Sequence, residues 1–96
     1  MEETSYREDI DIDELKDTDE ISVKKSSLVV HNDNVNTFDW VIQSLIEICD
    51  HSEIQAEQCT ILIHYKGKAC VKSGEKTKLN PMRTGLVDRG ISATIE

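Results

Sequence analysis

A group of amide, carboxylate and imidazole side chains is the part of this sequence best suited to chemistry. Residues 31–34, His-Asn-Asp-Asn, follow a short apolar run and precede a stretch with helical spacing. His64 ends a second apolar run. Asn and Asp often close backbone turns, and a lone histidine in such a place is more often structural than functional. A plain turn and a polar binding site therefore both remain open.

Catalytic and metal-binding patterns are weak. The chain has three cysteines, an odd number, which are widely spaced and form no C-x-x-C pair: Cys49, Cys59 and Cys70. Zinc ligands, in contrast, come in closely spaced pairs. A hydrolase that pairs His64 with Cys59 or Cys70 as nucleophile is conceivable, but their spacing gives it no support. We expect reduced thiols, no metal, no cofactor and no enzymatic activity.

Charge divides the chain of 96 residues, whose formal net charge is -8, into two parts. Residues 1–25 carry ten acidic and four basic side chains, and residues 26–96 carry nine and seven. Because the first part is acidic and has few large apolar residues, we expect a disordered extension over 1–25 and one domain over 26–96. This size excludes a large enzyme with its own cofactor domain. The excess of acid argues against nucleic-acid binding, which needs clustered Lys and Arg.

Targeting and membrane segments are not recognisable either. No apolar run approaches the roughly 18 residues of a transmembrane helix. The N-terminal segment lacks the basic and apolar regions of a signal peptide and the Arg-rich pattern of a transit peptide. We expect a cytoplasmic monomer without membrane contact.

The elements that must position the polar groups begin with a β-rich run at 27–31. A helix is predicted to follow and to end at Cys49, since its apolar residues recur at spacings of three and four. Asn36 is a suitable N-cap, and Asp39 in the first turn complements the helix dipole.

The segment 52–67 is ambiguous. Ser52 and Gln55 form a capping box, which predicts a helix from Glu53. Residues 60–65 are β-branched and would also suit a strand, with Lys66-Gly67 as a hairpin turn. The helix is favoured because four apolar side chains share one helical face and because Gly67 suits a helix end. The four are Ile54, Ile61, Leu62 and Tyr65.

The C-terminal third predicts a strand over 68–72, a turn over 73–76, a helix and a last strand over 91–95. The helix is predicted to start with Asn80 as cap and Pro81 at its first position, and to end at Gly90. Gly85 inside it implies either a neighbour packed closely against it or a weak helix. The predicted fold is a small α+β domain of order β-α-α-β-α-β.

Two motifs resemble a known family. The stretch from Val29 to Ile42, VVHNDNVNTFDWVI, resembles the opening of ClpS, the adaptor of the bacterial AAA+ Clp protease, and Ile63 to Ala69, IHYKGKA, resembles its second hallmark. The resemblance covers residues 27–96. It implies a three-stranded antiparallel sheet packed against three helices. It also supports a helix over 53–65 that runs into His64.

The resemblance implies an adaptor that binds the free α-amino group and the bulky side chain at the N-terminus of short-lived substrates. Such an ammonium offers three donors, and the matching acceptors are Asn32, Asp33 and His64. Protonation of His64 in acid would oppose the ligand's charge. The implied walls of the side-chain pocket are Asn36, Phe38, Val41, Thr60, Ile63 and Ile91. Phe38 and Thr60 stand where the family commonly has methionine, so the side-chain preference is not carried over.

The implied partners are N-degron proteins or peptides and the N-terminal domain of a ClpA- or ClpC-like unfoldase. Glu75 and Lys78 are the candidate docking residues, although ordinary solvated charge explains them equally well. The acidic extension would assist substrate delivery. The alternative function is a ClpS-like interaction module that docks on an unfoldase and modulates it without binding degrons.

Overall fold

The structure is a computed structural model that describes residues 25–96. Its elements follow the order β1 (Lys25–His31), α1 (Phe38–Cys49), α2 (Glu53–Lys66), β2 (Lys68–Glu75), α3 (Lys76–Asp88) and β3 (Ala93–Ile95). This order confirms the predicted α+β fold. The predicted extension over 1–25 lies outside the described residues except for Lys25, which opens β1. No helix within the described range is long and apolar enough to cross a membrane.

The sheet has β1 in the middle, in the order β2-β1-β3, and both neighbours run antiparallel to it. The register between β1 and β2 shifts between Leu28 and Val29. Val71 is the extra residue of this bulge in β2, which lets two successive residues of β2 approach the helices. Val71 is buried in the core, and the Lys72 ammonium donates to the Cys49 carbonyl at 3.0 Å.

The core lies between one face of the sheet and the three helices, because the apolar stripe of each helix must be covered. All six elements and the segment before β3 contribute to it. Its buried members are Leu28, Val30, Leu45, Cys49, Ala56, Ile63, Val71, Leu79, Leu86, Ile91 and Ala93.

The helical interpretation of residues 60–65 is confirmed, since α2 continues to Lys66 and Gly67 caps it with φ 90°. The face that packs inward is not the one formed by the large apolar residues. Ala56, Thr60 and Ile63 are buried, whereas Ile54 is 72% and Tyr65 79% exposed. The helix forms over a narrow inner face of small and medium side chains, and its most hydrophobic face remains in solvent.

The predicted start of α3 was wrong. β2 continues through the expected turn to Glu75, and α3 begins at Lys76 rather than after Asn80. Leu79 explains the earlier start, because its side chain is 1% exposed and burial there favours an additional helical turn. Pro81 therefore lies inside α3 as its sixth residue, where it lacks the N–H that would donate to the Thr77 carbonyl.

Gly85 marks a close approach of two helices, which is one of the two explanations that its sequence position allowed. A Cβ atom at Gly85 would lie 3.0 Å from Cδ1 of Ile48 in α1. The missing side chain therefore lets α1 and α3 pack closely. The chain after α3 turns at Gly90, with φ 83°, and β3 starts at Ala93, two residues later than predicted.

Candidate functional site

A cavity of about 360 Å³ lies between the loop after β1 and the C-terminal half of α2. The structure brings together there the three predicted ammonium acceptors and all predicted wall residues except Ile91. The lining residues are Asn32, Asp33, Asn34, Asn36, Thr37, Phe38, Val41, Thr60, Ile63 and His64. Ile91 is not among them and is instead a member of the core, where it is 2% exposed.

The Asp33 carboxylate organises the loop side of the cavity. Its Oδ1 accepts hydrogen bonds from the backbone N–H groups of Val35 and Asn36, both at 2.8 Å. Its Oδ2 accepts from Nδ2 of Asn36, also at 2.8 Å. The N–H of Asn36 is the largest cause that holds the pKa of Asp33 below its usual 3.8, since donors favour the charged form. The carboxylate is therefore fixed in place and ionised.

Asn36 has a different role from the helix cap predicted for it. Its Nδ2 donates to Asp33 and also to the Gly90 carbonyl at 2.8 Å, which ties the cavity loop to the turn after α3. Because this side chain is engaged, Thr37 becomes the N-cap of α1, and its Oγ1 accepts from the Trp40 N–H at 3.1 Å. Asn36 also lines the cavity, as its place in the sequence led us to expect.

His64 forms the opposite side of the cavity, in the last turn of α2. The backbone N–H of Asn32 donates to the carbonyl of the cap residue Gly67 at 2.8 Å, which holds the end of β1 against the end of α2. The His64 ring meets Phe38 and Tyr65 edge to face, with centroids 5.3 and 5.2 Å apart. Within residues 25–96 its nitrogens have no hydrogen-bond partner, so they are free to meet a ligand.

The apolar part of the cavity consists of Val41, Ile63 and the ring of Phe38. The buried hydroxyl of Thr60 donates its proton to the Ala56 carbonyl at 2.8 Å, so it offers no donor to a ligand. Phe38 is 43% exposed and lies at the mouth, where it also supports His64.

Two lining residues, Asn34 and Thr37, were absent from the predicted set. Asn34 belongs to the polar string after β1, and its place in the string was the signal that could have included it. Thr37 follows Asn36 directly, and its contribution becomes visible only when the helix start is known.

The arrangement suits a small cation that carries an apolar group. One side offers the ionised Asp33 and the exposed Asn32, and the other offers the His64 ring. The C-terminal end of α2 adds its partial negative charge on the same side as His64. An ammonium can meet acceptors at the polar end of the cavity while an attached hydrocarbon group contacts Val41 and Ile63.

The structure gives little support to a nucleophile at His64. Neither Cys59 nor Cys70 lines the cavity, and Cys70 Sγ instead contacts Ser73 Oγ at 3.5 Å. Burial raises the pKa of the Cys59 thiol, and it raises that of Cys49 to about 11, which keeps both in the protonated, weakly nucleophilic form. Within residues 25–96 no three His, Cys, Asp or Glu side chains come together as a metal site would require.

Glu75 and Lys78, the candidate docking residues, lie away from the cavity. Glu75 is the last residue of β2 and precedes α3, where its side chain makes no capping hydrogen bond. Lys78 follows in the first turn, and both residues are exposed.

Comparison with known proteins identifies relatives. The sequence model of the family described as ATP-dependent Clp protease adaptor protein ClpS matches residues 22–91. A solved structure, that of Agrobacterium tumefaciens ClpS2 bound to L-phenylalaninamide, is similar in fold, with a TM-score of 0.68 and 21% sequence identity. The similarity covers 78% of this chain and 98% of that chain. No curated protein matches the sequence.

Proposed function

The chain belongs to the ClpS family of Clp protease adaptors, and on that premise we propose that it binds N-degron substrates by their free α-amino group and bulky first side chain. It then delivers them to a Clp-type AAA+ unfoldase in the cytoplasm. The single observation that carries the proposal is the cavity in which Asn32, Asp33 and His64 face an apolar wall. The neighbouring ClpS2 structure holds L-phenylalaninamide, a ligand with an amine and an aromatic side chain.

The hydrogen bonds of Asp33 agree with this role. A carboxylate has about four lone-pair sites, and three of those of Asp33 are occupied by bonds from Val35 and Asn36. Two of the three fall on Oδ1, so the remaining site lies on Oδ2. The same residue thus fixes its own loop and keeps one acceptor for an ammonium.

The polar groups would provide selectivity for a free N-terminus. An α-amino group has a pKa of about 7.7–8.0 and is mostly charged at neutral pH. Acetylation removes its charge and two of its three donors, so the acceptors of the cavity would lose their partners. Leaving such groups unpaired costs roughly 1–3 kcal/mol each, whereas burial of a bulky first side chain contributes about 1.5–3 kcal/mol.

The proposal is tested by titrating the full chain with short fluorescent peptides that differ only at the first residue. The set contains Leu, Phe, Tyr, Trp and Ala, together with acetylated Phe. We expect micromolar or tighter binding of the bulky set, weak binding of Ala and loss of binding on acetylation. Equal affinity for free and acetylated Phe peptides would contradict degron recognition.

Delivery to the unfoldase forms a second part of the proposal. The exposed charges of Glu75 and Lys78 lie away from the cavity, which is compatible with simultaneous binding of a substrate and a partner. Reversing both charges should weaken binding to the N-terminal domain of a ClpA- or ClpC-like unfoldase while peptide affinity stays unchanged. Unaltered unfoldase binding would remove these two residues from the docking surface.

The acidic extension would act during delivery rather than in peptide binding. A chain that starts at residue 22 should keep full peptide affinity and should deliver substrates to the unfoldase more slowly. Equal delivery by both proteins would contradict this role of the extension.

A further inference from the structure

A second cavity, of about 270 Å³, opens between α1 and α2 on the outer surface of the helices. We call it the α1–α2 groove and define it by its lining residues Asp39, Ile42, Glu53, Ile54 and Glu57. Ile42 is half-buried and Ile54 is 72% exposed, so the groove has an apolar surface between carboxylates. The ion pairs within residues 25–96 join Lys68 to Glu96 and Arg89 to Glu47, and neither includes a groove carboxylate.

The groove lies next to the candidate amine site along α1 and α2. On α1, Phe38 and Val41 line the first cavity, and the next residue after each, Asp39 and Ile42, lines the groove. On α2, Ile61 follows Glu57 by four residues and precedes His64 by three. It therefore lies on the same helix face as both, between the two cavities. Its side chain is 36% exposed, which adds apolar surface between the cavities.

The spacing matches a short length of extended peptide. Glu57 and His64 are seven residues apart in α2, or about 10 Å at 1.5 Å per residue. An extended chain advances about 3.3–3.6 Å per residue. A peptide whose amine lies beside His64 and whose chain runs along α2 toward Glu57 would therefore pass Ile61 with its second and third residues and reach Glu57 with its third or fourth.

We propose that the α1–α2 groove binds residues two to four of an N-degron substrate and favours apolar and basic side chains there. The inference rests on the proposed function and specifies its substrate class. The hydrocarbon stem of a Lys or Arg would cover Ile54, and its cationic end would meet Glu53, Glu57 or Asp39. An acidic side chain at these positions would face three like charges.

The test compares three fluorescent peptides that all begin with Phe and differ at positions two to four, which are Leu-Arg-Lys, Ser-Gly-Ser or Glu-Leu-Glu. Phe-Leu-Arg-Lys should bind the full chain about three- to tenfold more tightly than Phe-Ser-Gly-Ser, and Phe-Glu-Leu-Glu should bind most weakly. The difference should shrink at high salt, because these charges are exposed. Equal affinity for all three peptides would overturn the groove assignment.

Two variants test whether the preference for Leu-Arg-Lys arises from the α1–α2 groove. Glu57→Gln and Ile54→Ser should each reduce the preference for Leu-Arg-Lys about two- to threefold without changing the affinity for Phe-Ser-Gly-Ser. Asp88→Asn, which removes an exposed charge from α3, is the control and should leave the preference intact. An unchanged preference in both groove variants would overturn the proposal.

The proposed function and the groove can fail separately. If no Phe peptide binds, the amine site itself is refuted and the groove proposal falls with it. If Phe-Ser-Gly-Ser binds and the preference is absent, only the groove proposal fails. The exposed apolar residues would also suit a second copy of the chain. A dimer in sedimentation that Ile54→Ser dissociates would overturn the assignment to substrate.

Discussion

The two sides of the amine cavity are held in place by different kinds of interaction. On the loop side, Asp33 accepts three hydrogen bonds and Asn36 extends the network to the Gly90 carbonyl. On the helix side, the exposed His64 ring is positioned by edge contacts with Phe38 and Tyr65. One side is fixed by directional bonds at 2.8 Å, and the other by contacts between rings.

This difference indicates a division of labour in recognition. A preorganised carboxylate interacts with an ammonium without having to be ordered first, so the loop side should supply most of the affinity. An imidazole can be neutral or cationic, and a cationic ring would repel an ammonium, so the helix side should make binding sensitive to pH. Substitutions on the two sides should therefore differ in both the size and the kind of their effects.

The largest effect is expected on the loop side. Asp33→Asn keeps one oxygen that can accept the two backbone hydrogen bonds of Val35 and Asn36, but it removes the charge and the acceptor of Asn36 Nδ2. Asp33→Ala removes every acceptor. Either should weaken binding of a Phe peptide by about 2–5 kcal/mol, the usual range for a buried partner of a charge. Isothermal titration would measure the affinity, with Asp50→Asn as a control for a lost surface carboxylate. A loss confined to the alanine variant would indicate that Asp33 only shapes the loop.

The next effect distinguishes the helix side by its pH dependence. Histidine becomes a cation between about pH 8 and pH 5, and two unit charges at about 4 Å repel by roughly 1–4 kcal/mol. Peptide affinity should fall between pH 7 and pH 5.5 in the native protein, where the ligand's α-amino group is already mostly charged, and stay nearly level in His64→Gln. A flat profile in the native protein would contradict a role for His64 as an acceptor.

Asp33 should contribute little to that profile. Its pKa is already lowered below 3.8, so its carboxylate remains ionised down to pH 5.5. A group with a lowered pKa in the folded state stabilises the fold at higher pH, and this contribution is lost as the pH falls through the lowered value. Any fall in affinity that persists in His64→Gln above pH 5 would have to come from another group.

A smaller effect should follow from loosening the loop. Asn36→Ala removes the side-chain bonds to Asp33 and Gly90 and should weaken peptide binding by about 1 kcal/mol. It should also raise the pKa of Asp33. When the pH is lowered, the variant should therefore lose peptide binding at a higher pH than the native protein does. The backbone N–H of residue 36 remains, and it limits this shift. In an Asp33→Asn background, Asn36→Ala should not change the pH at which peptide binding is lost on acidification. A change in that pH would exclude the Asp33 carboxylate as its cause.

The smallest effect concerns the contacts between rings. Tyr65→Leu removes one edge contact of His64 outside the cavity, and we expect a loss of about 0.5 kcal/mol in affinity for every N-terminal residue. Phe38→Leu removes the other contact and also reshapes the cavity mouth, so it should change the ranking of Leu, Phe, Tyr and Trp peptides. An equal shift for all peptides in Phe38→Leu would indicate that Phe38 acts through His64 alone.

The same contrast explains how far the sequence could predict the molecule. The β-α-α-β-α-β order and the polar residues around the cavity follow from short-range patterns and from two motifs. The start of α3 could not be read in this way, because it depends on burial of Leu79 against distant elements. The role of Asn36 was equally hidden, since its partner Gly90 lies 54 residues away along the chain.

The face of α2 illustrates a further limit. Periodicity correctly indicates a helix, but it does not tell which side packs inward. Ala56 and Thr60 are buried because the close approach of α2 to the core favours small side chains, and Ile54 is left exposed. The residues that appear most suitable for a core are therefore available for binding.

The central claim, recognition of a free N-terminal amine beside a bulky side chain, is tested most directly by one pair of titrations. The full chain is titrated at neutral pH with a Phe peptide and with the same peptide acetylated at its N-terminus. The arrangement of Asn32, Asp33 and His64 predicts that acetylation weakens binding by at least about tenfold, or 1.4 kcal/mol. Equal affinity for the two peptides would contradict the proposed function, whatever the affinity itself.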